Sequence, residues 1–127
     1  MCGIFAVITN KENISLGKIV FDGIKRLEYR GYDSCGIVSL SESKLYVKKD
    51  SGKIDEIQKK MDLTEFPNNT KLALAHTRWA THGAPTKNNS HPHLDCSGKI
   101  AVVHNGIIDN FIELRKNPVQ FIINKII

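Results

Sequence analysis

Apolar residues in this chain come in short runs, each closed within a few positions by turn formers, so no single strand or helix can grow long. Residues 3–9 read as a buried strand closed by Asn10-Lys11-Glu12. Residues 15–29 keep near-helical spacing at Leu16, Ile19, Val20, Ile24 and Leu27, with Ser15 as N-cap and Gly31 as the stop. Residues 36–40 and 44–48 then form a strand pair turning at Ser41-Glu42-Ser43. A short helix over 52–61, a strand over 71–77, a buried strand over 100–103 and a helix over 108–116, ended by Pro118, complete the pattern. Both element types recur without repeats, which gives an α+β class with sheet packed on sheet and helices outside.

The remaining stretch, 78–98, holds Gly83, Pro85, Asn88-Asn89 and Pro92 and reads as one long loop, a length that in a compact domain usually serves function. With 18 Lys and Arg against 13 Asp and Glu the net charge is +5, yet the basic residues are dispersed, which argues against nucleic acid as a partner. Cys2, Cys35 and Cys96 are too few and too widely spaced for a disulfide framework, and fit a reducing, cytoplasmic setting. The apolar run over 4–8 is too short for a signal peptide or a membrane span, so no membrane association is expected.

Three stretches carry chemistry. Cys2 taken alone reads as a small buried hydrophobe, but loss of Met1 would set its thiol beside a free α-amine of pKa about 7.7 to 8.0, able to act as its base. In "AHTRWATHGAPTKNNSHPH", Arg78 follows a strand and offers a planar fork for a carboxylate. The same stretch permits a zinc reading from His91, His93 and Cys96 with His82 or His76, although the spacing is not that of common structural sites. In "VVHNGIIDN", Asn105-Gly106 is either a plain turn or a pair of donors aimed at an acyl oxygen.

Together "MCGIF", "RLEYRGYDSCGI", "HTRWATHGAPT" with "HPH", and "HNGIIDN" resemble, in that order, the N-terminal glutaminase domain of glutamine–fructose-6-phosphate aminotransferase. That domain is a class II glutamine amidotransferase of hexosamine biosynthesis, an N-terminal-nucleophile hydrolase. The resemblance implies a four-layer αββα sandwich, L-glutamine as substrate, and no cofactor or metal. It implies Cys2 as the nucleophile that forms a glutamyl thioester, Asn105 and Gly106 as oxyanion hole, and Arg30 as a residue that orients the nucleophile. It further implies Arg78 as holder of the substrate carboxylate, Thr81 and His82 as pocket walls, Trp79 as a residue closing the site, and His91 in a matching motif.

The resemblance divides the chain into a partial type-2 glutamine amidotransferase domain over 1–116, incomplete at its C-terminus, and a divergent apolar tail over 117–127. After "ELRK" the family continues into further elements, among them an acidic stretch whose aspartate binds the substrate α-ammonium. The tail "NPVQFIINKII" has no such residue. The sugar-phosphate isomerase part is also missing, which makes this a truncated, weak or inactive glutaminase on its own. Its partner would then be a full-length synthase or a separately encoded isomerase part. The competing reading is a non-catalytic remnant that binds a partner or senses glutamine.

Overall fold

The computed structural model describes residues 1–11 and 15–116; the expected apolar tail over 117–127 lies outside the described residues. Antiparallel pairing organises them. Strand β1 (Gly3–Ile8) is followed by helix α1 (Leu16–Lys25), a 3-10 turn at Glu28–Arg30, the hairpin β2 (Ser34–Ser41) and β3 (Lys44–Ser51), and helix α2 (Ile54–Lys60). Strand β4 (Leu72–Arg78) then inserts between β1 and β2, so the sheet order is β1-β4-β2-β3 and the chain's first strand is an edge. The last elements are the two-residue strands β5 (His93–Leu94) and β6 (Ala101–Val102), which pair with each other, and helix α3 (Phe111–Lys116).

Alternation gives the sheet two unlike faces. Phe5, Ala75 and Ile37 stand in register on one face, and α1 lays Leu16, Val20 and Ile24 on it, joined by Ile54, Ile57 and Leu63. Full burial of each such aliphatic side chain stabilises by about 1.5–3 kcal/mol. On the other face Ile4, His76 and Gly36 form one row. A Cβ at Gly36 would lie 2.1 Å from the His91 carbonyl oxygen, so only glycine lets the 91–92 segment, joined by a cis peptide, rest on the strand. Lys49 on β3 clamps this segment, its Nζ donating to the Ser90 carbonyl at 2.6 Å and the Pro92 carbonyl at 2.9 Å. At the far end of this face Ile8, Leu72 and Leu40 sit side by side and remain exposed at their surfaces.

Ser15 is the N-cap of α1 as expected, although it caps without a side-chain bond, its carbonyl accepting from Ile19. Two local expectations need correction. The first helix stops at Lys25 rather than Tyr29, because three-residue bonds from Leu27, Arg30 and Gly31 tighten the chain into a 3-10 turn. The strand expected over 100–103 is only two residues long and half-buried, since its partner β5 is equally short and lies inside the stretch expected to be all loop.

Candidate active site

The edge strand delivers Cys2 to the end of β4. The Gly3 N–H donates to Thr77 Oγ1 at 3.1 Å, which fixes where β1 begins and leaves Cys2 beside Arg78 and Trp79. The Trp79 backbone N–H donates to the Cys2 sulfur at 3.3 Å, and the thiol lies 3.8 Å from the Trp79 carbonyl. From the turn after β6, Asn105 Nδ2 donates to the Cys2 carbonyl at 3.1 Å, while its Oδ1 sits 2.8 Å from His76 Nε2. These contacts border a cavity of about 550 Å³. Cys2, Arg30, Arg78, Trp79, Thr81, His82, His91, Asn105 and Gly106 all line it.

The other two cysteines lack this setting. Burial, then the nearby Glu28 charge, push the Cys35 thiol up to about 12, which keeps it protonated, and Cys96 is an exposed surface residue outside the cavity. Gly106 holds φ at 154°, and a Cβ there would meet the His104 ring at 3.0 Å, so the turn following Asn105 requires glycine.

One of these side chains, Arg78, stands differently from what its sequence setting suggests. Arg78 turns its fork back on its own loop, Nη2 donating to the carbonyls of His82 and, at 3.4 Å, Gly83, and Nη1 to Ala84 at 3.3 Å. Thr81 Oγ1 and His82 Nδ1 are 3.2 Å apart on the same exposed loop. Arg30 lies at the cavity mouth, with Nη2 3.8 Å from the Met1 sulfur. Trp79 is partly exposed and meets Tyr32 edge-on, ring centres 5.2 Å apart. His91 is buried with its ring 4.2 Å from His76 and 4.4 Å from His93. Burial, then the neighbouring imidazoles, hold its pKa down to about 3, and burial lowers His76 to about 4.

Residues not singled out for this site also shape it. Asp33 accepts the Ala80 N–H at 2.5 Å and donates its own N–H to the Arg78 carbonyl, tying "GYDS" to "TRWA". His104, Ile107, Ile108 and Phe111 also line the cavity. His76 drew notice only as a metal ligand, and its alternation out of the core face was the available signal. Among the described residues, no group of three or more His, Cys, Asp or Glu is placed to hold a metal ion. Among them too, no helix is long and apolar enough to cross a membrane.

No family model matches the chain. It is 53% identical over 116 residues to the glutamine–fructose-6-phosphate aminotransferase (isomerizing) of Pyrococcus horikoshii, 51% to that of Sulfolobus acidocaldarius and 52% to that of Methanothermobacter thermautotrophicus. Each match covers 91% of this chain but 19% of the relative, so the chain spans about a fifth of the length of the curated relatives it matches. Among solved structures it is similar to the glutamine phosphoribosylpyrophosphate amidotransferase of B. subtilis, with a TM-score of 0.70 and 27% identity, and to an allosteric regulatory enzyme of purine biosynthesis, at 0.73 and 28%. Both matches cover 91% of this chain and 24% of the other.

Proposed function

The chain belongs to the glutamine–fructose-6-phosphate aminotransferase family and matches its N-terminal glutaminase region, and from that premise we propose that it hydrolyses the side-chain amide of glutamine through a Cys2 thioester. Removal of Met1 leaves an α-amine on Cys2. The amine takes the thiol proton, and the sulfur attacks the amide carbon. The oxyanion that forms is met by the Asn105 NH2 and the Gly106 N–H, ammonia leaves with the proton held by the amine, and water then cleaves the thioester to glutamate.

The observation that carries this reading is the environment of the sulfur: a backbone N–H donor at 3.3 Å, an open cavity, and an asparagine anchored to the nucleophile's own carbonyl. Arg78 serves the substrate carboxylate by giving up or sharing its loop bonds, with Thr81 and His82 beside it. Trp79 closes the site, Arg30 orients the N-terminus once Met1 is gone, and His91 supports the wall from beneath. The 127 residues contain no counterpart of the family aspartate for the α-ammonium. A lost charge-assisted hydrogen bond costs about 1.5–3 kcal/mol, or one to two decades of affinity. A polypeptide of this sequence therefore hydrolyses glutamine well below the rate of a longer glutaminase domain and makes no glucosamine 6-phosphate.

Ammonia release from glutamine by the purified chain, alongside intact-mass measurement, tests the proposal. Expected are a chain starting at Cys2, a slow release that Cys2→Ala abolishes, and no sugar amination when fructose 6-phosphate is added. Release unaffected by Cys2→Ala, or Met1 retained on every active molecule, would overturn it.

A further inference from the structure

We infer that His76 is a positioning residue: it fixes the orientation of the Asn105 side-chain amide so that the NH2 end, rather than the oxygen, faces Cys2. Its consequence for catalysis rests on the glutaminase reading; its geometry does not. An asparagine amide has nearly the same shape either way round, and the two ends do opposite things to a developing oxyanion. The NH2 stabilises that charge, whereas the oxygen repels it. Asn105 is exposed and follows a two-residue strand, so packing does not choose between the ends.

Hydrogen bonding does. The Cys2 carbonyl, 3.1 Å from Nδ2, can only accept, and so demands the NH2. Oδ1 then needs a donor, and His76 Nε2 lies 2.8 Å away. The imidazole is itself held: it is 1% exposed, stands in register with Ile4 and Gly36 on the sheet, and is backed by the His91 ring at 4.2 Å. Its Nδ1 is buried with no hydrogen-bond partner among the described residues, so the proton of the neutral ring belongs on Nε2, where an acceptor waits. Burial, helped by the Arg78 charge, keeps a second proton off the ring against the Asn105 side-chain and His104 backbone bonds that would favour one, while the His91 ring packs against it. One hydrogen of the Asn105 NH2 is spent on the Cys2 carbonyl; the other is left for the substrate oxygen. The sheet thus sets the amide's direction through a ring that touches no substrate atom.

The test uses the 127-residue chain with His76→Phe, which keeps a ring and removes the donor, His76→Gln, whose amide restores a donor at similar reach, Asn105→Ala, and the His76→Phe/Asn105→Ala double variant. Two readouts are taken: the rate of Cys2 alkylation by a glutamine-shaped chloroketone, relative to iodoacetamide, and the nitrogen chemical shifts of the His76 ring and the Asn105 amide. His76→Phe is expected to slow the chloroketone about tenfold to hundredfold with iodoacetamide little changed, the scale of a misplaced catalytic group. His76→Gln recovers most of the rate, and His76→Phe costs nothing further once Asn105 is alanine. The ring shifts are expected to report a proton on Nε2. Equal chloroketone rates in wild type and His76→Phe, full additivity with Asn105→Ala, or a proton on Nδ1 would overturn the inference. Should wild-type Cys2 show no preference for the chloroketone, the glutaminase reading fails, and the ring and amide shifts alone decide the positioning. Should His76→Phe not fold, the wild-type nitrogen shifts decide it: a ring proton on Nε2 supports the inference and one on Nδ1 overturns it.

Discussion

The floor and the rim of the cavity are built on different terms. The floor is sheet: His76 and Thr77 on β4 are buried, His91 is pinned between Gly36 and the Lys49 clamp, and Cys2 hangs from the Gly3 bond to Thr77. The rim over residues 81–88 is exposed throughout and is gathered around one guanidinium. The groups assigned to covalent chemistry are thus fixed largely from the floor, and those assigned to substrate recognition largely from the rim. Damage to the floor should appear as lost stability, and damage to the rim as lost affinity.

The sharpest way to break that contrast is acid. The folded chain holds His76 at about 4 and His91 at about 3, against 6.5 for a free imidazole. The unfolded chain therefore binds more protons in between, so the stabilisation is whole above about pH 6.5 and is lost as pH falls through the folded values. At about 1.4 kcal/mol per unit the two rings together withdraw several kcal/mol, a large share of what holds a small domain. Asp62 and Asp95, lowered by their hydrogen bonds to about 2, act only below their ordinary 3.8, which leaves the interval above to the histidines. Urea melts at pH 7, 6, 5 and 4.5 measure it. A flat profile would mean that the floor is open to water.

Second in size is Gly36→Ala. The new Cβ would stand 2.1 Å from the His91 carbonyl oxygen and 2.5 Å from the Lys49 Cβ, so backbone rather than a flexible tip must move. Overpacking of this kind costs about 1–3 kcal/mol, and the melt at pH 7 should show it with the acid-sensitive step reduced, because His91 is no longer held against His76. An unchanged melt would sever the link between Gly36 and the histidine stack.

What could be seen in the sequence divides along related lines. Local elements were legible where period-two alternation met turn residues: the β2–β3 hairpin was readable although its tip, Glu42 and Ser43 at φ 49° and 62°, lacks the Asn-Gly that usually announces such a turn. Strand β5 was not, since two residues carry no period, and its partner β6 was expected longer and more buried than it is. Nine of the cavity-lining residues lie in the motifs that carry the resemblance; Cys2 and Arg78 were legible from their own chemistry, whereas spacing alone left Asn105-Gly106 open between a plain turn and a pair of oxyanion donors. The His76 contact with Asn105 spans 29 positions and crosses from strand to turn, a relation that exists only once the sheet is assembled. Nor did sequence suggest that Arg78 would spend its fork on loop carbonyls.

That use of Arg78 supplies the smallest effect and the best separation of rim from floor. Arg78→Lys keeps the charge but replaces a planar fork that bridges three carbonyls with a single ammonium. The loop it gathers is exposed, so the melting temperature should stay where it is. Carboxylate binding loses geometry rather than charge, and the concentration of glutamine or of a competing glutamate analogue needed for half effect should rise about tenfold, or about 1.4 kcal/mol. Alkylation of Cys2 by iodoacetamide, which carries no carboxylate, should be unchanged. A fall in melting temperature as large as that of Gly36→Ala would show the rim to be part of the core. Unaltered glutamine dependence would instead mean that Arg78 only ties its loop, and the carboxylate site would have to be sought elsewhere on the cavity wall, Arg30 being the other guanidinium there.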